Sequence, residues 1–260
     1  MSKDCVCMYL AGSVKIREAV DFCPTVANPN PNVWRDLGNV SNFAINTETT
    51  ELTVKDYRAI AGNACSYDEI TDVTLDLTLR CMSHKNLLIG FLGEETLVTG
   101  GSIVDEQKYY VEDCSFIPTD NIIDTTQPVV VQDTAGGGGT VFVEGTDYVL
   151  VPGGIQFPEN STIPALSDIF ISYTYLDQNV IDIFAQTSKT YELFLSGYNK
   201  ADNSLEFTAH LFKVKFGPLA SFSFLGDDFA LMELNPSIQA DACQLNAKGF
   251  GRYGKLTNFY

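Results

Sequence analysis

Cations and histidines are scarce in this chain. Its 260 residues hold 16 Lys and Arg against 33 Asp and Glu, a formal charge of -17, with two histidines and one tryptophan. The deficit of positive charge gives a mean field that repels phosphate and argues against a conventional nucleic-acid-binding surface. His84 and His210 stand far apart, and neither belongs to an H-E-x-x-H, a C-x-x-C pair or a carboxylate–histidine cluster, so zinc-type ligand spacing is missing. No apolar run is long enough to span a bilayer, and Met1-Ser2-Lys3-Asp4-Cys5-Val6-Cys7 has no basic region leading into a long apolar segment, which argues against membrane insertion and secretion.

Recognisable catalytic spacing is also missing. No serine sits in a G-x-S-x-G elbow, and the run Gly136-Gly137-Gly138-Gly139 is not followed by the Gly-Lys-Ser/Thr of a phosphate cradle. The acidic pairs Glu94-Glu95 and Asp227-Asp228 fall in turn-like sequence, where carboxylates are normally just solvated. With no nucleophile, base and stabiliser in readable order, the chain reads as a non-enzyme that needs neither cofactor nor metal. Cysteines at 5, 7, 23, 65, 81, 114 and 243 form an odd, scattered set, the pattern of reduced, buried, unpaired thiols and not of a disulfide framework.

Apolar residues are plentiful, 45% against 19% charged, enough for one large β domain or a domain with a smaller appendage. Period-two alternation is clearest at residues 73–81, with Val73, Leu75, Leu77, Leu79 and Cys81 on one face and Thr74, Asp76, Thr78 and Arg80 on the other. Ser41, Phe43 and Ile45 alternate against Asn42, Ala44 and Asn46. Between these strands, residues 61–69 are small and polar and read as a long loop. Ser83 is placed to cap a short helix carrying Leu87, Leu88, Phe91 and Leu92, with Gly93 as its stop.

Residues 118–178 change texture to short β runs broken by Gly, Pro and Asn, as in an inserted small β module. Alternation resumes at Tyr191, Leu193 and Leu195 and at Phe207, Ala209 and Leu211, then shifts phase to Phe212, Val214 and Phe216, which predicts a β-bulge near Leu211. Residues 220–225 and 229–235 read as the last long strands, and the glycine-rich residues 249–254 as an extended tail.

Several segments, taken in order, resemble the tail tube proteins of long-tailed bacteriophages. Trp34-Arg35-Asp36-Leu37-Gly38-Asn39-Val40-Ser41 with Phe43-Ala44-Ile45 looks like that family's first tube strand, residues 51–67 its long inter-strand loop, and Val73-Thr74-Leu75-Asp76-Leu77-Thr78-Leu79 the return strand, with the helix after it. Val143-Glu144-Gly145-Thr146-Asp147-Tyr148, Gly153-Gly154-Ile155-Gln156-Phe157 and Ile171-Ser172-Tyr173-Thr174-Tyr175 are similar to an insert found in some members.

The resemblance implies a mainly β fold: a β sandwich or barrel with one flanking helix and an inserted small β module, the tube domain running over 1–117 and 179–260 around 118–178. It further implies six-membered rings that stack into a tube in the phage virion, made in the bacterial cytoplasm. The partners would be other copies of the chain, a tape measure protein and a terminator, with DNA passing through unbound. Thr74, Asp76 and Thr78, with Asn42 and Asn46, would face the lumen, and Glu51, Lys55, Asp56, Tyr57, Tyr67, Asp68 and Glu69 would belong to a ring-stacking loop. The alternatives are another β-rich virion component, such as a tail terminator or a capsid decoration protein, and a carbohydrate-binding β sandwich with Tyr109, Tyr110, Tyr173 and Tyr175 as a stacking platform.

Overall fold

The computed structural model describes residues 9–55, 63–201, 205–226, 229–249 and 251–257. The fold is mainly β, a β sandwich/barrel arrangement with one helix among the described residues. The chain divides into two compact units, Met1–Glu94 with Asp182–Tyr260, and Glu95–Ile181. The first begins with β1 (Leu10–Glu18), β2 (Arg35–Asp36), β3 (Val40–Lys55), β4 (Asn63–Leu79) and helix α1 (His84–Gly90). Next come β5 (Glu94–Val98), β6 (Gly101–Tyr110), β7 (Phe116–Pro118), β8 (Val130–Gln132), β9 (Val149–Val151), β10 (Gly154–Gln156), β11 (Ser167–Tyr175) and β12 (Gln178–Asp182). The first unit resumes with β13 (Thr190–Asn199), β14 (Glu206–Lys215), β15 (Ser221–Phe222), β16 (Met232–Leu234), β17 (Ser237–Ile238), β18 (Asp241–Leu245), β19 (Gly251–Arg252) and β20 (Gly254–Thr257).

In the first unit a ten-stranded sheet runs β15-β16-β4-β17-β14-β13-β1-β2, with β3 also paired to β4 and β20 to β14. Its apolar side collects the alternating residues of several strands: Val14 and Ile16, Val73 to Leu79 at every second position, Leu193, Leu211, Val214, Met232, Leu234 and Ile238. Fully burying a side chain of this size contributes roughly 1.5–3 kcal/mol, so this layer dominates the unit's stability.

The phase shift on β14 is a bulge, because Tyr191 faces Val214 while Leu193 faces Leu211, and β14 therefore spends one residue more than β13. That extra residue lets Phe207, Ala209 and Leu211 on one side of the bulge, and Val214 and Phe216 on the other, all reach the core.

Helix α1 starts as its sequence predicts: Ser83 is extended and its hydroxyl accepts the Asn86 N–H at 3.3 Å. Its stop is shifted by one residue. Leu92 takes the left-handed conformation (φ 46°), and the Gly93 N–H closes on the Leu88 carbonyl at 2.9 Å. The buried helical positions are Asn86, Ile89 and Gly90, while Leu87, Leu88, Phe91 and Leu92 are half-buried. Asn86 ties the helix down, its amide donating to the Leu37 and Cys81 carbonyls at 2.9 and 3.0 Å and accepting from Arg35 at 2.7 Å.

Residues 19–34 connect β1 to β2, and a disulfide joins Cys23 to Cys243 across 220 positions. This corrects the expectation of unpaired, buried thiols. Cys65 and Cys114 are free and exposed, and Cys81 is free and half-buried. The same connection carries Trp34, whose ring packs edge-on to Phe194 and His210 and lies under the Arg17 guanidinium at 4.5 Å. Burial works against ionisation of the neighbouring Glu192. Hydrogen bonds from His210 and Arg17, the Arg17 charge and the Asn30 amide outweigh it and hold the carboxyl below its ordinary value.

The second unit contains two three-stranded antiparallel sheets, β6-β11-β8 and β7-β10-β9, and the two-stranded ladder β5-β12. Tyr110, Ile117, Val131, Phe142, Tyr148, Ile155, Phe157, Ile169, Ile171 and Tyr173 share its core. The module therefore begins near residue 95 and not at 118. β6 carries too little turn sequence to look inserted, yet it pairs with β11 along nearly its whole length. Asp105 sits at a bulge in β6 with φ 57°, and its carboxylate accepts the Gln132 amide at 2.8 Å and the Gly136 N–H at 2.7 Å, which anchors the glycine run. Gly136 to Gly139 are thus a pinned turn, with nothing within reach of a side chain added at the first three. No helix among the described residues is long and apolar enough to cross a membrane.

Candidate functional site

β4 is 17 residues long, but only its second half touches the core. Val73, Leu75, Leu77 and Leu79 are buried, whereas Cys65 to Asp72 are all exposed. β3 pairs with β4 from Val40 to Lys55, and every β3 residue from Ile45 onward is exposed. The outer half of this hairpin is an arm standing free on both faces. An isolated two-stranded hairpin is marginal in water. Among the described residues the far edge of β3 has no partner strand, and unpaired edges recruit other strands unless they are covered.

The base of the hairpin brings the expected polar residues together. Asn42 lies opposite Thr78 and Asn46 opposite Thr74, and the Asn46 amide donates to Asp76 at 2.7 Å. All five project from the side of β4 opposite Val73, Leu75, Leu77 and Leu79. Neighbouring strands enlarge this surface with residues that were not singled out in the sequence: Glu233 opposite Thr78, Ser237 opposite Thr74, and Lys215 opposite Ser237. On β3 and β4 themselves, Glu48 lies opposite Asp72. The result is a polar face with four carboxylates, Glu48, Asp72, Asp76 and Glu233, against Lys215 and, just past the end of β4, the exposed Arg80. Short strands such as β16 and β17 show too few alternations to be assigned a face from sequence.

The residues expected in a stacking loop are mostly strand. Glu51 and Lys55 belong to β3, and Tyr67, Asp68 and Glu69 to β4, paired as Glu51 with Asp68, Leu52 with Tyr67 and Thr50 with Glu69. Asp56 and Tyr57 lie outside the described residues. The small polar composition of residues 61–69 suggests a loop because it lacks a buried face, and the structure leaves both faces of residues 65–69 in water, which removes the usual period-two signal.

The arm is nevertheless two-sided. One face carries Leu52 and Val54 with Cys65 and Tyr67 and, nearer the base, Thr50 with Glu69, each exposed, and the other carries Thr49, Glu51, Thr53, Ser66, Asp68 and Ile70. Two carboxylate pairs, Glu48 with Asp72 and Glu51 with Asp68, stand directly opposite each other, an arrangement that destabilises an isolated hairpin.

Elsewhere the chemistry is bland. A cavity of about 530 Å³ opens beside the disulfide, lined among others by Glu18, Ser188, Lys189, Glu192, Lys213 and Asp241, a set of mixed charge. Among the described residues no three His, Cys, Asp or Glu side chains are grouped to hold a metal. The four tyrosines considered as a carbohydrate platform form none, since Tyr110 and Tyr173 are core residues and Tyr175 is half-buried.

Fold and surface together define a mainly β protein with an inserted β module, an open edge strand and a free-standing, acidic hairpin arm. The chain belongs to the family described as "Protein of unknown function UCP028589", whose model matches residues 7–257. No curated protein matches it.

Proposed function

We propose that the chain is a structural, self-assembling subunit of the tail tube of a long-tailed phage, forming stacked sixfold rings through which genomic DNA passes during ejection. The observation that carries this reading is the hairpin arm, exposed on both faces and bounded by the unpaired edge of β3. A neighbouring copy would pair that edge and bury the arm, completing a structure that the single chain leaves open. The polar face at the arm's base supports a lumen role for Thr74, Asp76, Thr78, Asn42 and Asn46, because its carboxylates, Glu48, Asp72, Asp76 and Glu233, outnumber the cations Lys215 and Arg80 and so repel phosphate. Tape measure and terminator proteins would be the other partners in the virion tail.

The test is the mass of the purified protein across a concentration series, followed by electron microscopy of the largest species. Long hollow tubes are expected. Single rings would favour a terminator or decoration role, and a monomer at every concentration would end the self-assembly reading.

A further inference from the structure

Four phenylalanines gather at the surface of the first unit where α1 ends. Phe91, at the helix C-cap, contacts Phe184, Phe222 and Phe224 with ring centroids 6.4, 5.5 and 6.1 Å apart, and Phe222 meets Phe224 at 4.6 Å. Phe224 is 77% exposed, Leu225 93% and Phe229 88%, and Phe184 is more than half exposed. Taking about 150–250 Å² per aromatic side chain, Phe184, Phe224 and the adjoining Leu225 leave on the order of 400 Å² of apolar surface in water, in the range of the largest patch of a typical monomer. The core uses only the inner edge of the ledge, Phe222: Phe91, Phe184, Phe224 and Leu225 are neither buried core residues nor packed against them.

We infer that the ledge is the receptor for the arm of a neighbouring copy, seating the face that carries Leu52, Val54 and Tyr67. This rests on the self-assembly reading and adds its second half. Head-to-tail association requires two different, complementary surfaces on one chain, and this chain exposes one apolar projection and one apolar ledge, neither covered by the other. The projection has reach, since β3 from Thr47 to Lys55 extends about 30 Å at roughly 3.3 Å per residue. It also has area: Leu52, Val54 and Tyr67 add about 300 Å², which brings the joined apolar patches to about 700 Å², most of the roughly 1,000 Å² that a specific interface needs, with a polar rim to supply the rest. Seated this way, the acidic opposite face of the arm stays in water, so Glu51 and Asp68 are not desolvated on docking.

The experiment uses the full chain in three forms, wild type, Leu52→Glu and Phe224→Glu, compared by analytical ultracentrifugation. Both positions are exposed, and circular dichroism checks that each variant keeps the wild-type spectrum. Each variant alone should need on the order of 30-fold more protein to assemble, the effect of losing one interface anchor. Mixed, the two should form a discrete complex that does not grow, because the intact arm of the Phe224→Glu copy meets the intact ledge of the Leu52→Glu copy and every further contact is blocked.

Cys65 gives an independent readout. With Phe224→Cys, mild oxidation should produce intermolecular dimers and higher ladders that vanish when Cys65→Ser is added. Wild type that assembles while Phe224→Glu assembles equally well would overturn this inference and leave the self-assembly reading standing. Wild type that never assembles would overturn both. Flotation of wild type, but not Phe224→Glu, with phosphatidylcholine–phosphatidylglycerol vesicles, without change in assembly, would reassign the ledge to a lipid surface and overturn the inference as well.

Discussion

Replacing Cys23 with serine removes the one cross-link that ties residues 19–34 to β18, and its cost can be worked from the chain positions. In the loop-entropy treatment, closing n residues lowers the entropy of the unfolded chain by about 2.1 + 1.5R ln n cal/mol/K. For the 220-residue separation this amounts to about 5 kcal/mol at 25 °C. The dependence is logarithmic, so a second unit that remains folded and shortens the loop by its own length leaves the figure at about 5 kcal/mol. For a chain of this size such a loss should lower Tm by roughly 10–20 °C. The assay is thermal unfolding of oxidised wild type, of wild type with a phosphine reductant, and of Cys23→Ser, with the reduced wild type and the variant expected to melt together. Peptide mapping without reductant should yield a linked pair containing Cys23 and Cys243. A Tm unmoved by reductant, or Cys23 and Cys243 recovered as free thiols, would refute the argument.

Alkaline titration followed by phenolate absorbance should separate Tyr110, Tyr173 and Tyr191 from the other tyrosines. Burial first, then Asp113 beside Tyr110, Glu106 beside Tyr173 and Glu18 near Tyr191, pushes each up to about 12. Because the folded value lies above the unfolded value of about 10, their contribution to stability is complete below pH 10 and is lost as pH rises through 12. Three phenols titrating near 10 with the fold intact would contradict this. Gly197 faces Gly12 across β1 and β13, and a Cβ there would lie 2.2 Å from the Ala11 carbonyl oxygen, so Gly197→Val should cost about 3 kcal/mol in urea unfolding. A loss under about 1 kcal/mol would mean the strands can spread. Asp76→Lys should leave assembly intact, since Asp76 is only half-buried and among the described residues bonds only Asn46, while slowing DNA release most at low salt; normal ejection kinetics would remove Asp76 from the lumen.

What could be read ahead of the structure follows from where water is excluded. Val73 to Leu79 alternate because one side meets the core, and that alternation identified both the buried face and its polar reverse, including the companionship of Asn42 and Asn46. The bulge near Leu211 was legible for the same reason: a phase shift between two buried runs has few other physical causes. The arm was not legible as strand because nothing buries it within one chain. Nor do residues 220–225 and 229–235 form long strands; only Ser221–Phe222 and Met232–Leu234 pair, and Phe224, Leu225 and Phe229 stay exposed. The disulfide depends on two chain segments 220 positions apart meeting, which no local spacing encodes. The true start of the inserted unit at residue 95 was hidden because β6 looks like any half-buried strand until its partner, β11, is known.

The two edges of β4 are filled on different schedules. Its β3 edge is satisfied by the preceding strand, whereas the opposite edge waits for Met232 to Leu234, the Pro236 carbonyl and Ser237. β1 likewise waits for β13. During synthesis the second unit, complete by residue 181, can finish folding while β1 and β4 each still have an open edge, since the strands that fill those edges, β13, β16 and β17, all begin at or beyond residue 190. A ribosome must therefore deliver almost the entire chain before the first unit can close. Truncation anywhere in the last quarter would leave a nascent chain with a folded module and a sticky, half-built sheet, a substrate for chaperones and not for assembly.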